Sequence, residues 1–163
     1  MIEMTLILVK PDGVKRCLVG NIVTRFENAG LKIIGLKMVW CDKDHALRHY
    51  TEDITMRRGQ FVRDKLVAFL IEGPVVAVCL EGIDAVEVVR KIVGSTEPKT
   101  APPGTIRGDF AHMSIARADD IKKGLPNLIH ASGNKEEAKS EISLWFKDSE
   151  LHSYSTVHDA WVI

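Results

Sequence analysis

The chain has 163 residues, with 22 Lys plus Arg balanced by 22 Asp plus Glu, and it is 45% hydrophobic and 27% charged. Those values describe a soluble globular chain long enough to bury its own core, and they exclude one drawn to nucleic acid or membrane by its overall field. Cys17, Cys41 and Cys79 are odd in number without a Cys-x-x-Cys pair, no apolar run approaches a membrane span, and Glu3 sits in a strand-like start; a reduced, cytoplasmic protein without a signal peptide is expected.

Thr5 to Val9 (TLILV) predicts a first strand, stopped by the turn cluster Lys10-Pro11-Asp12-Gly13. Val19, Ile22, Val23, Phe26 and Ala29 then fall on helical spacing, closed by Gly30. Leu31 to Trp40 returns to a strand, with Ile34, Leu36, Met38 and Trp40 alternating onto one face. A short helix follows, with Asp42 as its N-cap, and another runs from about Gln60 to Ile71 before Gly73-Pro74 stops it. Val75 to Glu81 (VVAVCLE) reads as a buried strand, and the next helix carries the stripe Val86, Val89, Val93 before Gly94. Ser95 to Phe110, with three prolines and two glycines, predicts a long irregular loop. Asn127 to His130 is a short fourth strand, and the last helix is capped by Ser132 or Asn134. Trp145, Phe146 and Trp161 read as packing residues.

With no repeat or linker, residues 1–163 are expected to form a single domain. The element order is a β-α-β-β-α-β core with additions. That predicts an α/β (α+β) ferredoxin-like sandwich, an antiparallel four-stranded sheet with helices packed on one face. Such a fold leaves function open.

The chemistry is carried by a few side chains. Lys10 stands at a strand end, where a rigid sheet could aim its ammonium into a cleft. Arg107 lies between Gly104 and Gly108, which would let the backbone approach a ligand, and Arg90 offers a second planar fork for phosphate oxygens. With Thr96 they make a phosphate cradle. His130 precedes Glu141 by eleven residues, a strand end plus one helical stretch. A carboxylate returning there would hold one ring nitrogen and leave the other free to attack. Asn127 is placed to reach a ribose hydroxyl. His49 and the solvated His45, with His112, His152 and His158, read as structural or exposed. No G-x-x-x-x-G-K-[ST] motif occurs.

The motifs VKPDGV, CLVG, RFENAGLKI, GPVVAV, PGTIRGDF, NLIHAS and EISLWF follow one another in this order. In them the chain resembles the nucleoside diphosphate kinases along nearly its whole length. The resemblance implies a ping-pong transfer of the γ-phosphoryl group of a nucleoside triphosphate, typically ATP, to a nucleoside diphosphate through a phosphohistidine on His130. It also implies that Glu141 and Ser132 support the imidazole. Lys10, Tyr50, Arg90, Thr96 and Arg107 would contact phosphates, and Asn127 with Lys10 the ribose. Mg²⁺ would bridge the nucleotide phosphates with few or no protein ligands. A homo-oligomer is implied, hexamer favoured over tetramer, with no membrane or obligatory nucleic-acid partner. The rival reading, a non-catalytic RNA- or nucleotide-binding sheet, lacks aromatics on TLILV and VVAVCLE for stacking.

Departures from the family pattern carry their own expectations. Cys17 replaces a common glycine, with little effect expected, and Gly133 removes an acid beside a helix start. Residues 111–126 are longer than usual, which predicts a longer loop beside the nucleotide. So is the stretch after Tyr50, where the base-stacking position falls on Phe61 or, counted back from GPVV, on Val62. A stacking contact grips any base by its face, so broad base use is expected.

Overall fold

The computed structural model describes residues 1–162; Ile163, the end of the expected domain, lies outside them. Strand β1 (Ile2–Val9) runs into a one-turn helix α1 (Pro11–Lys15), where a turn is predicted. Proline at the first helical position, already fixed at a helical φ, explains the difference. Helix α2 (Val19–Asn28) leads to β2 (Lys32–Val39), and α3 (Lys43–His49), α4 (Glu52–Arg58) and α5 (Gln60–Leu70) follow. Strand β3 (Val75–Ile83) and α6 (Ala85–Val93) come next. The predicted irregular loop contains a 3₁₀ turn at Pro98–Thr100 and the short α7 (Ile106–Phe110), capped by Thr105, which accepts from Gly108 N. Helix α8 (Ile115–Asp120), β4 (Ile129–Ala131), α9 (Lys135–Trp145) and α10 (Asp159–Val162) complete the order.

The sheet order is β2-β3-β1-β4 and each pairing is antiparallel, the ferredoxin-like arrangement expected. Its two inner strands are apolar on both faces, so both must be covered. Ile7, Val9, Val76 and Val78 meet Ile22 and Phe26 of α2 and Val89 of α6. Leu6, Leu8, Val75 and Ala77 meet Ala46 of α3, Val67 of α5 and Trp145 of α9. Helices therefore pack on two faces, not one; the second face belongs to the additions.

Three local expectations change. The register of β2 slips between Ile33 and Gly35, so Ile34 is buried while Leu36 and Met38 are exposed on the edge strand, as is Trp40 just past its end. A bulge breaks the strict alternation from which one continuous face is read. Trp161 is 85% exposed and does not pack, unlike Trp145 and Phe146. Cys17 has φ +56°, left-handed backbone that disfavours a side chain, so the departure from glycine carries a strain. Gly133 costs little, because its N–H donates to Glu137 Oε2 at 2.9 Å, and Glu136 and Glu137 supply acids to the first turn. The helix cap is Asn134, whose side chain accepts from Glu137 N.

Candidate active site

A cavity of about 610 Å³ opens at the C-terminal end of β1, between α3, α4, α6 and α9. Lys10, Tyr50, Arg90, Thr96, Arg107, Asn127, His130 and Glu141 all line it, although they come from seven separate stretches of chain. Ser132 lies behind it, fully buried.

The histidine is brought there by a tight backbone device. Leu128 has φ +70°, and Ile129 N donates to Asn127 O at 2.8 Å, closing a γ-turn. Asp12 Oδ2 accepts from Leu128 N at 2.9 Å, and Leu128 O accepts from Lys10 N at 2.8 Å. These two bonds hold a bulky residue in backbone it rarely adopts. Gly13 is needed beneath, since a Cβ there would crowd Val9 and Leu128 O. The turn sends β4 antiparallel to β1, pairing His130 with Leu8.

His130 Nε2 lies 2.9 and 3.0 Å from the two Glu141 carboxylate oxygens, and Ser132 Oγ donates to Glu141 Oε2 at 2.6 Å. Burial raises the Glu141 carboxyl, but the His130 charge and the hydrogen bonds from His130 and Ser132 outweigh it, and the net shift is downward. A carboxylate held ionised favours the proton on Nε2 and leaves the Nδ1 lone pair available. His49, His130 and Glu141 form a cluster with metal-ligand atoms within 4.8 Å. Glu141 is already bonded to His130 and Ser132, and His49 to Trp145.

Lys10 is nearly buried, and its Nζ donates to Leu125 O at 3.3 Å and lies 4.9 Å from the Phe69 ring. Burial brings its pKa down to about 8, with Asp12 opposing and Arg107 adding to the fall. Arg107 is also buried, and its guanidinium donates to Asn127 O (3.1 Å), Gly94 O (3.0 Å) and Ile129 O (2.6 Å). It staples the loop after α6 to the γ-turn with three of its five N–H groups. Burial, and then Arg90, lower its pKa to about 10. Gly108 serves packing and not ligand approach: a Cβ there would overlap Pro102 O. Arg90 and Thr96 are exposed at the rim. Asn127 Nδ2 donates to Thr96 O at 2.7 Å, while its buried Oδ1 has no partner among the described residues. Tyr50 is buried, and burial pushes its phenol up.

Phe61 is a correction. It is 61% exposed on α5, with Lys65 Nζ 4.2 Å from its ring centroid, and neither it nor Val62 lines the cavity. Gln60–Leu70 forms a regular helix whose inner face carries Val67 and Leu70, and that register turns Phe61 outward. The apolar lining from α4 and α5 is Ile54 and Leu66 instead, and Arg48, Arg57 and Arg58 add cations. The long stretch after Tyr50 supplies Ile54, Arg57 and Arg58 through α4, which the sequence reading missed. Residues 111–126 do not form the cavity wall; they pack on α5, with Lys65 3.2 Å from Asp119, and reach the site through Leu125 O. His45 and His49, spaced four apart, both flank Trp145, so neither is a solvated helix residue. Their spacing was the available signal.

A sequence profile described as nucleoside diphosphate kinase matches residues 3–151. The nucleoside diphosphate kinase of Borreliella burgdorferi is 44% identical over 155 residues, covering 94% of this chain and 93% of that one. That of Pyrococcus furiosus is 46% identical over 158 residues, covering 97% and 91%. Among solved structures, a transition-state mimic of the nucleoside-diphosphate kinase from Borrelia burgdorferi with bound vanadate and ADP superposes with a TM-score of 0.97. It is 42% identical and the match covers 99% of this chain and 96% of that chain.

Proposed function

The chain belongs to the nucleoside diphosphate kinase family, and from that premise we propose a two-step transfer in which His130 Nδ1 carries the phosphoryl group between nucleotides. The observation that supports it best is the hydrogen bond from His130 Nε2 to Glu141, which leaves Nδ1 as the free nitrogen beside a cationic cavity. In the first half-reaction Nδ1 bonds to the γ-phosphorus of a nucleoside triphosphate as the bond to the bridging oxygen breaks, and the diphosphate leaves. In the second, an acceptor diphosphate oxygen attacks the same phosphorus and the lone pair returns to Nδ1. Glu141 stabilises the cationic ring as it forms, and Ser132 fixes the carboxylate.

Phosphoryl transfer needs in-line positioning and charge stabilisation above all. Lys10, Arg90, Arg107 and Thr96 are the groups to hold the phosphates. The unpartnered Asn127 Oδ1 suits a ribose hydroxyl as donor. Ile54 and Leu66 suit the base, with no selection among adenine, guanine, cytosine and uracil. The family works with a divalent cation, and Mg²⁺ is the ion we assign. The site fits one held by nucleotide phosphates: its cations serve phosphate oxygens, and the Glu141 carboxylate is committed to His130 and Ser132. When bound, the ion neutralises phosphate charge. The exposed row Leu36, Met38 and Trp40 supports assembly of several copies; the preference for a hexamer over a tetramer rests on the family resemblance. No helix among the described residues is long and apolar enough to cross a membrane, and a cytoplasmic location fits the free thiols.

The test is incubation with γ-labelled ATP. Acid-labile, base-stable label is expected on the parent protein and none on His130→Ala, with nucleotide affinity retained. Normal exchange between ATP and GDP by His130→Ala refutes the assignment.

A further inference from the structure

The one buried imidazole that this mechanism leaves idle is His49. Its side chain is 0% exposed, and its ring stands edge-on to His130, with centroids 4.5 Å apart and planes at 83°. Trp145 Nε1–H donates to His49 Nδ1 at 3.3 Å. The same Nδ1 lies 3.9 Å from Glu141 Oε1, the oxygen that accepts from His130 Nε2 at 2.9 Å. Two imidazoles therefore face one carboxylate oxygen.

An indole N–H can only donate, so the nitrogen it meets must present a lone pair. His49 must then carry its proton on Nε2, which is buried without a partner among the described residues. That arrangement strands an N–H, a cost that demands a return elsewhere. Resting on the reading of His130 as nucleophile, we propose that Trp145 is a positioning residue for the reaction, acting through His49. By keeping a lone pair on His49 Nδ1, it denies Glu141 Oε1 a second donor, reserves that oxygen for His130 Nε2–H and holds the His130 lone pair on Nδ1.

Without the indole, His49 would gain by moving its proton to Nδ1 and donating to Glu141, since that satisfies a nitrogen otherwise stranded. His130 Nε2 would then share Oε1 with a rival donor, on a carboxylate whose Oε2 also accepts from Ser132; the weakened acceptor would hold the Nε2 proton less firmly, and the competing Nδ1–H form cannot attack phosphorus. Protonating His49 instead is no escape, because burial and the neighbouring His130 hold its pKa at about 3. The indole is itself fixed. The rings of His45 and His49, both on α3, stand edge-on to it at 4.4 and 5.7 Å.

The experiment compares Trp145→Phe, which keeps a ring between the two histidines and removes the N–H, with the double variant Trp145→Phe/His49→Phe, which also removes the rival donor. Trp145→Phe is expected to lower kcat about 10- to 100-fold, the usual effect of losing a partner that orients a reacting group, with the Michaelis constant for ATP unchanged. Ring ¹⁵N shifts of His130 are expected to move from an Nε2–H pattern toward a mixture. The double variant is expected to recover kcat and the Nε2–H pattern, whereas a purely packing role predicts that a second buried change makes matters worse. Parent-like kcat and shifts in Trp145→Phe overturn the proposal, as does a double variant slower than the single one. Thermal melts of all three proteins verify that each is folded at the assay temperature. If the parent forms no phosphohistidine, the functional reading fails; the ¹⁵N shifts still decide whether Trp145 controls the tautomer.

Discussion

Replacing Arg107 by alanine is expected to damage the fold as well as the reaction. Its guanidinium donates to three main-chain carbonyls, on Asn127, Gly94 and Ile129, at 3.1, 3.0 and 2.6 Å. A hydrogen bond with one charged partner contributes about 1.5–3 kcal/mol, so the ceiling for three is several kcal/mol. The cavity beside them admits water that can rehydrate part of what is lost, so the expected destabilisation is about 3–5 kcal/mol, large for one substitution. For a chain of this length that lowers the melting temperature by roughly 10 °C or more. The two remaining N–H groups are free for a phosphoryl oxygen, and their loss should raise the barrier by a further ~2–4 kcal/mol, the usual effect of removing one electrostatic stabiliser. Urea unfolding with matched m-values gives the first quantity, and kcat measured well below the melting temperature gives the second. Arg107→Lys should keep the charge yet recover only part of the stability, since an ammonium cannot span three diverging acceptors. A parent-like urea midpoint for Arg107→Ala would refute the staple and leave a purely catalytic arginine.

Three further outcomes follow from the site. Lys10 titrates near 8 in the fold and near 10.5 when exposed, so the unfolded chain binds the extra proton between those values and stability should rise with pH across that window. The gain approaches ~3 kcal/mol; urea midpoints that rise equally in the parent and in Lys10→Met would contradict it. Phe61→Ala should leave the Michaelis constants of ADP, GDP, CDP and UDP unchanged, while Ile54→Ala should weaken all four by about 1 kcal/mol through lost apolar contact. A selective loss of one base would overturn that. Cys17→Gly should stabilise the protein by about 1 kcal/mol by relieving left-handed backbone, less the added freedom of the unfolded chain; a lower melting temperature would count against it.

The sequence by itself determined the order of the four strands and of the longer helices α2, α5, α6 and α9, because a strand's period of two and a helix's of 3.6 are local properties; the short helices α1, α4, α7 and α8 are too brief to show a period. It also supplied the residues of the proposed site: Lys10, Arg90, Thr96, Arg107, Asn127, His130 and Glu141 stand out by residue type and motif as candidates, and they all line one cavity. Tertiary structure decided what those side chains hold besides a ligand. Arg107 bonds to backbone 13, 20 and 22 residues away, and Trp145 meets His49 across 96 residues; no local pattern encodes a partner at such distance. The same holds for facing. Phe61 and Ile54 are both apolar residues in helices, and only the packing of α4 and α5 turns one to solvent and the other into the cavity. Leu128 shows the limit most sharply: nothing about leucine announces a φ of +70°. That conformation exists because Asp12, far away in the chain, holds its N–H in place.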